Sequence, residues 1–108
     1  MVPETVICIT VKVPDKFYGG LAYKQLKDRY SRHCASLFMC ENTITVQYIT
    51  ERGTTKPELE KEVRSIGTEL RTKIPVPHVI EINIRQHRTV WKDNLYTTVD
   101  TTVGIILK

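Results

Sequence analysis

The sequence predicts an α+β domain in which two helices pack on one face of a roughly four-stranded sheet, in the order β-α-β-α-β-β, ending in a long projecting β-hairpin. Three observations lead there. Residues 5–13 and 43–49 alternate apolar and polar side chains with the period of two that a half-buried strand requires. Two stretches between and after them repeat apolar residues at helical spacing, each with a single stripe. The last thirty residues match each other across a turn.

The first strand is Thr5-Val6-Ile7-Cys8-Ile9-Thr10-Val11-Lys12-Val13, with Ile7, Ile9, Val11 and Val13 on one face and Thr10 and Lys12 on the other. Its β-branched content suits a pleated surface, and Pro14 ends it. Asp15 to Gly20 reads as a loop with paired glycines. A helix is expected over 21–38, where Tyr23, Leu26, Tyr30, Cys34 and Leu37 form one stripe with His33 at its edge. The second strand, 43–49, sets Ile44, Val46 and Tyr48 against Thr45 and Gln47.

The second helix opens on Thr55-Lys56-Pro57-Glu58, the pattern of a capping box in which hydroxyl and carboxylate each satisfy an orphan amide. Leu59, Val63, Ile66, Leu70 and Ile74 follow as one stripe. Acidic residues crowd its first turns, and Arg71 and Lys73 its last, complementing the helix dipole. Pro75 and Pro77 stop it. Burial of both stripes places the helices together behind the sheet, through right-handed crossovers. The hairpin can add at the sheet edge or insert one arm between the first two strands.

A two-residue turn at Asp93-Asn94, a pair that tolerates positive φ, writes the hairpin register pair by pair. Ile80 then opposes Leu107, Ile82 opposes Ile105 and Ile84 opposes Val103, all on one face. On the other, Arg85 opposes Thr102, His87 Asp100, Thr89 Thr98 and Trp91 Tyr96. A slip of one residue destroys the match. From Gln86 to Thr101 both faces turn mostly polar. Strands of about thirteen residues span roughly 40 Å, so the distal half projects or bends strongly.

The chain of 108 residues, 41% hydrophobic and 26% charged, lies in the range of an ordinary globular domain, so residues 1–108 are expected to form one. It holds no apolar run of membrane-spanning length, and its first residues lack the basic segment of a cleavable signal. Three cysteines, Cys8, Cys34 and Cys40, are an odd number at no framework spacing. Free thiols in a reducing, cytoplasmic compartment fit better than disulfides.

No residue set carries a catalytic signature, so a non-enzymatic protein is expected. His33 and Cys34 point about 100° apart on a helix, and Cys34 falls on the stripe that should be buried. Ser31, Ser36 and Ser65 lie in no nucleophile motif. Cys34-x5-Cys40 matches no common zinc spacing, and His78 reads as a surface residue at a strand start; no metal or other cofactor is expected. Gly19-Gly20 before a helix invites an anion, yet no phosphate-loop pattern accompanies it. An enzyme acting on a small anion there is the third reading of function. His87 opposite Asp100 is first a favourable cross-strand pair.

Two surfaces remain as binding candidates. The net charge is +4, and residues 21–40 hold Lys24, Lys27, Arg29 and Arg32 against Asp28 alone. That basic patch is the secondary site, and exposed helix charge most often means only a solvated face. The primary site is the hairpin arm: Arg85, His87, Arg88, Trp91, Lys92 and Tyr96. Trp, Tyr and Arg are the usual anchors of protein interfaces. The favoured expectation is therefore an adaptor or inhibitor type of protein that engages another protein, or itself as a homodimer, through the hairpin. The alternative is nucleic-acid binding, with the same basic residues on phosphates and the aromatics on bases. A mixed sheet face (Thr10, Lys12, Thr45, Gln47, Glu81, Asn83, Arg85) lacks the aromatics an RNA-recognition sheet needs.

Overall fold

The computed structural model describes residues 4–74 and 80–108. It contains strands β1 (Thr5–Lys12), β2 (Ser36–Cys40), β3 (Thr43–Thr50), β4 (Ile80–Lys92) and β5 (Leu95–Leu107). The helices are α1 (Lys16–Arg29) and α2 (Lys56–Lys73), with one 3-10 turn at Ser31–His33. The strands form a single antiparallel sheet in the order β2-β3-β1-β4-β5. The α+β class, the two packed helices and the C-terminal hairpin are as the sequence predicts. The sheet gains a fifth strand.

That strand comes from the stretch assigned to the first helix. Asp15 caps α1 by accepting a hydrogen bond from the Tyr18 amide at 3.1 Å, so the helix starts five residues before Leu21. Gly19 and Gly20 lie inside it, not in a loop, and Gly19 is buried. A Cβ at Gly19 would sit 3.1 Å from the Glu41 carbonyl, which explains why the smallest residue stands where α1 crosses the β2–β3 turn. The helix ends at Arg29, and Cys34 takes a left-handed φ of 50° that turns the chain outward. Cys34 is consequently exposed, not part of the buried stripe. Leu37 then reaches the core by strand alternation rather than helical spacing, opposite Val46.

β1 lies between β3 and β4 and pairs with each over its whole length. The chain passes from β1 through α1 to β2, leaving room for β3 between them. It passes from β3 through α2 to β4, leaving room for β1. These interleaved units are the split βαβ arrangement, extended by β5 at the edge, so the hairpin adds beside β1 and inserts nowhere. Rows of apolar residues cross the sheet in register: Val46, Ile9, Ile84 and Val103, and next to them Ile44, Val11, Ile82 and Ile105. Leu26 from α1 and Ile66 and Leu70 from α2 close over them, all fully buried.

The Thr55 hydroxyl accepts from the Glu58 amide, as expected of the cap. The Glu58 carboxylate instead accepts from the Thr54 hydroxyl, so the reciprocal half of the box is not made. Pro75, Pro77 and His78 lie outside the described residues.

A polar staple joins the helices above the core. Arg29 of α1 donates to Glu62 at 2.9 and 3.1 Å, to Glu69 at 2.5 Å and to Ser65 at 2.9 Å. The Tyr30 hydroxyl donates to the same Glu62 oxygen at 2.6 Å. Burial alone would lower the Arg29 pKa, but hydrogen bonds to Glu62, Tyr30 and Glu69 outweigh it and the group is held more firmly charged. Burial, and then the bond to Glu62, push the Tyr30 phenol up. Arg29→Ala would strip two carboxylates of their shared partner and is expected to cost about 2–3 kcal/mol in urea unfolding. Lys24→Ala, on the exposed side of the same helix, is expected to stay within about 0.5 kcal/mol.

Candidate binding surface on the C-terminal hairpin

Each opposed pair expected from Ile80–Leu107 to Trp91–Tyr96 is present. Asp93 and Asn94 have φ of 52° and 61°, the two consecutive left-handed residues that match the twist of a hairpin. The register follows from burial at the base, where Ile80, Ile82, Ile84 and Val103 are enclosed under α2. At Gln86 the buried face turns polar. Its side-chain amide donates to the Thr54 carbonyl at 2.9 Å and accepts from the Thr54 amide at 2.7 Å. That double bond to backbone holds the β3–α2 connection and ends the core.

Beyond this point the hairpin leaves the body. β1 pairs with β4 as far as Arg88, and the Thr89 amide still donates to the Glu4 carbonyl. From Val90 to Thr97 the two arms have only each other among the described residues. The molecule is 51 Å long and 24 by 21 Å across. Its radius of gyration is 14.8 Å, against about 13 Å for a compact chain of this length, so the arm projects.

Period two sorts the six arm residues. Arg85, His87 and Trp91 share the helix-free face with Tyr96 and Asp100, whereas Arg88 and Lys92 point to the other side. Of the four basic residues, Arg85 and His87 therefore share a face with the aromatics, and Arg88 and Lys92 do not. Trp91 and Tyr96 meet edge to face at 4.6 Å, and both remain half-exposed at 55% and 52%. Arg88 lies against Gly53, where its side chain would contact an added Cβ.

Below the aromatic pair, Asp100 collects the charges of this face. Arg85 donates to one carboxylate oxygen at 3.1 Å, and His87 Nδ1 lies 2.6 Å from the other. The Arg85 bond first, and the His87 bond second, hold the Asp100 carboxyl below its usual range. A shallow depression of about 380 Å³ lies alongside, lined by Val6, Cys8, Gln47, Arg85 and His87. None of the three cysteines hydrogen-bonds a histidine among the described residues, and no group of three potential ligands there could hold a metal ion. No helix among them is long and apolar enough to cross a membrane.

The secondary basic patch is dispersed. Lys24 and Lys27 are exposed on α1, and Arg32 is exposed on the 3-10 turn. Arg29 is spent on Glu62 and Glu69. Sequence reasoning missed that pairing because its partners lie more than thirty residues away on another helix. His33 packs against Tyr48 with ring centroids 4.8 Å apart and planes tilted by 50°, a contact that Tyr48, placed on the core face of its strand, left readable only in part.

No family model, curated protein or solved structure matches the chain.

A carboxylate with a depressed pKa stabilises the fold above its unfolded pKa and loses that contribution as pH falls through the folded value. Asp100 is exposed, so solvent screening keeps the effect on unfolding small, and the titration itself is the sensitive readout. Carbon-detected NMR is expected to find Asp100 titrating below the usual aspartate range. Arg85→Ala is expected to move it back upward by more than His87→Ala does.

Proposed function

We propose that this chain is a small non-enzymatic binding protein of adaptor or inhibitor type, whose contact surface is the tip and helix-free face of the projecting hairpin. The observation that carries this is the Trp91–Tyr96 pair, half-exposed at the end of an arm that adds nothing to the core. A hairpin kept only for stability has no need to outrun its sheet, and exposed Trp and Tyr are the side chains that bury best against a partner protein. The free, exposed thiols of Cys34 and Cys40 suit a reducing compartment and support a cytoplasmic setting.

Nucleic acid is the second reading, favoured by the exposed rings, which suit base stacking. It is weaker because Arg85 is paired with Asp100, and Arg88 and Lys92 point away from the aromatics. An anion-handling enzyme at Gly19-Gly20 loses its loop, since both residues are helical.

The sole tryptophan reports on its own contact. Partner protein captured from the native host is expected to shift Trp91 emission to shorter wavelength. Trp91→Ala is expected to weaken capture by about 30-fold or more, the scale of an interface hot spot, while Lys24→Ala leaves it unchanged. Capture that survives Trp91→Ala removes the arm from the interface. Tight oligonucleotide binding at low salt that falls steeply as salt rises would transfer the surface to nucleic acid.

A further inference from the structure

β5 ends the sheet among the described residues, and nothing in its sequence blunts that edge. Leu95–Leu107 contains no proline, no lysine and one charged residue, Asp100, which is already held by Arg85 and His87. Edge strands this long ordinarily carry charges, prolines or bulges that refuse another strand.

Hairpin parity identifies the groups that point outward. The turn from Lys92 to Leu95 makes those two a hydrogen-bonded pair, so odd residues of β5 bond to β4. Even residues, Tyr96 to Ile106, direct their amides and carbonyls to the open edge. The Thr89 bond to Glu4, on the β1 side of β4, obeys the same parity. A second β5 added antiparallel must therefore match even residues with even ones. A two-fold axis at Asp100 opposes that carboxylate to its own copy, which is unfavourable. An axis at Thr101, the midpoint of Leu95–Leu107, overlaps the entire strand and opposes Asp100 to Thr102.

This register also covers apolar surface that the single chain leaves bare. Leu95 and Val99 lie on the helix side of the arm, past the reach of its own helices, and are 66% and 50% exposed. Beside the base of β5, a mainly apolar groove runs along α2, lined by Gly67, Ile105 and Leu107 with Arg64 and Arg71, the latter donating to the Leu107 carbonyl. A second, more polar depression beside Val63 and Val103, lined also by Lys56, Glu60 and Arg64, adjoins it. With the axis at Thr101, Val99 of the copy arrives beside Val103, and Leu95 of the copy beside Leu107. On the opposite face Tyr96 meets Ile106, which is 60% exposed. The distal half of one strand fits the proximal half of the other.

We propose that the chain forms a two-fold homodimer in which β5 pairs antiparallel with β5 of a second copy, centred on Thr101. The two sheets become one, with the helices of both copies on the same side. The proposal rests on the reading of the hairpin as a protein-binding arm and names one partner for it. Trp91 lies on β4, outside this seam, and stays available to another protein.

Light scattering of the wild type is expected to give twice the monomer mass. Val99→Lys, an exposed change in the single chain, is expected to give the monomer mass with an unaltered circular-dichroism spectrum. The two residues at 101 would form a non-hydrogen-bonded pair about 4.5 Å apart, within disulfide reach. Thr101→Cys is thus expected to cross-link on mild oxidation beyond the wild-type background, and Thr97→Cys, opposite Ile105, is not. A monomeric wild type, or Thr97→Cys linking as readily as Thr101→Cys, overturns the dimer. Trp91→Ala is expected to keep the dimer mass, so lost capture with an intact dimer concerns the tip alone. A monomer that still captures partner through Trp91 sinks the dimer and spares the arm.

Discussion

Every other element is placed by β1, which is paired on both sides along its whole length. Eight residues register with β3 and the same eight with β4, so Ile7, Ile9 and Val11 sit at the centre of the apolar layer. This double pairing forces both crossovers to skip a strand and puts α1 and α2 side by side over the same face. A proline in β1 would break a ladder bond with no free edge to turn to, and the strand's one charge, Lys12, lies exposed at its end, away from the core face. The helices then require a contact of their own, which Arg29 and Tyr30 supply by sharing Glu62.

The hairpin obeys two rules along one pair of strands. Near its base it is part of the core, and Ile82 and Ile84 are fully buried. Past the Gln86 clamp there is no helix above it and soon no neighbouring strand, so the side chains answer only to the twist of two arms and to solvent. Exposed Val99, Leu95, Trp91 and Tyr96 on such a segment are hard to explain by folding alone. A ribbon of two strands is marginal in water, and these exposed apolar side chains are what the proposed binding role rests on. The Asp100 cluster stiffens the ribbon midway, where Arg85 and His87 converge on one carboxylate.

Electrostatics look different in three dimensions than along the chain. A run of Lys24, Lys27, Arg29 and Arg32 resembles a basic face until Arg29 is seen between two glutamates. The arm's basic residues likewise divide between the two faces of the ribbon. What remains on the helix-free face of the arm is an aromatic pair beside the Asp100 ion cluster, which is why the proposed reading favours a protein contact over a phosphate track.

By itself the sequence determined what depends on local period and on turns: β1, β3, the stripe of α2, and the entire register from Ile80 to Leu107. These follow from side-chain alternation and from Asp93-Asn94, which act over neighbouring residues. The tertiary structure alone decided the strand order, the fate of residues 30–40 and the pairing of Arg29. Leu37 fits a helical stripe and a strand equally well by spacing, and only the open edge of β3 selects the strand. Glu62 and Glu69 become partners of Arg29 only once β1 has brought the two helices together. Long-range pairing is set by which edges and faces remain unsatisfied, and that information is spread over the whole chain.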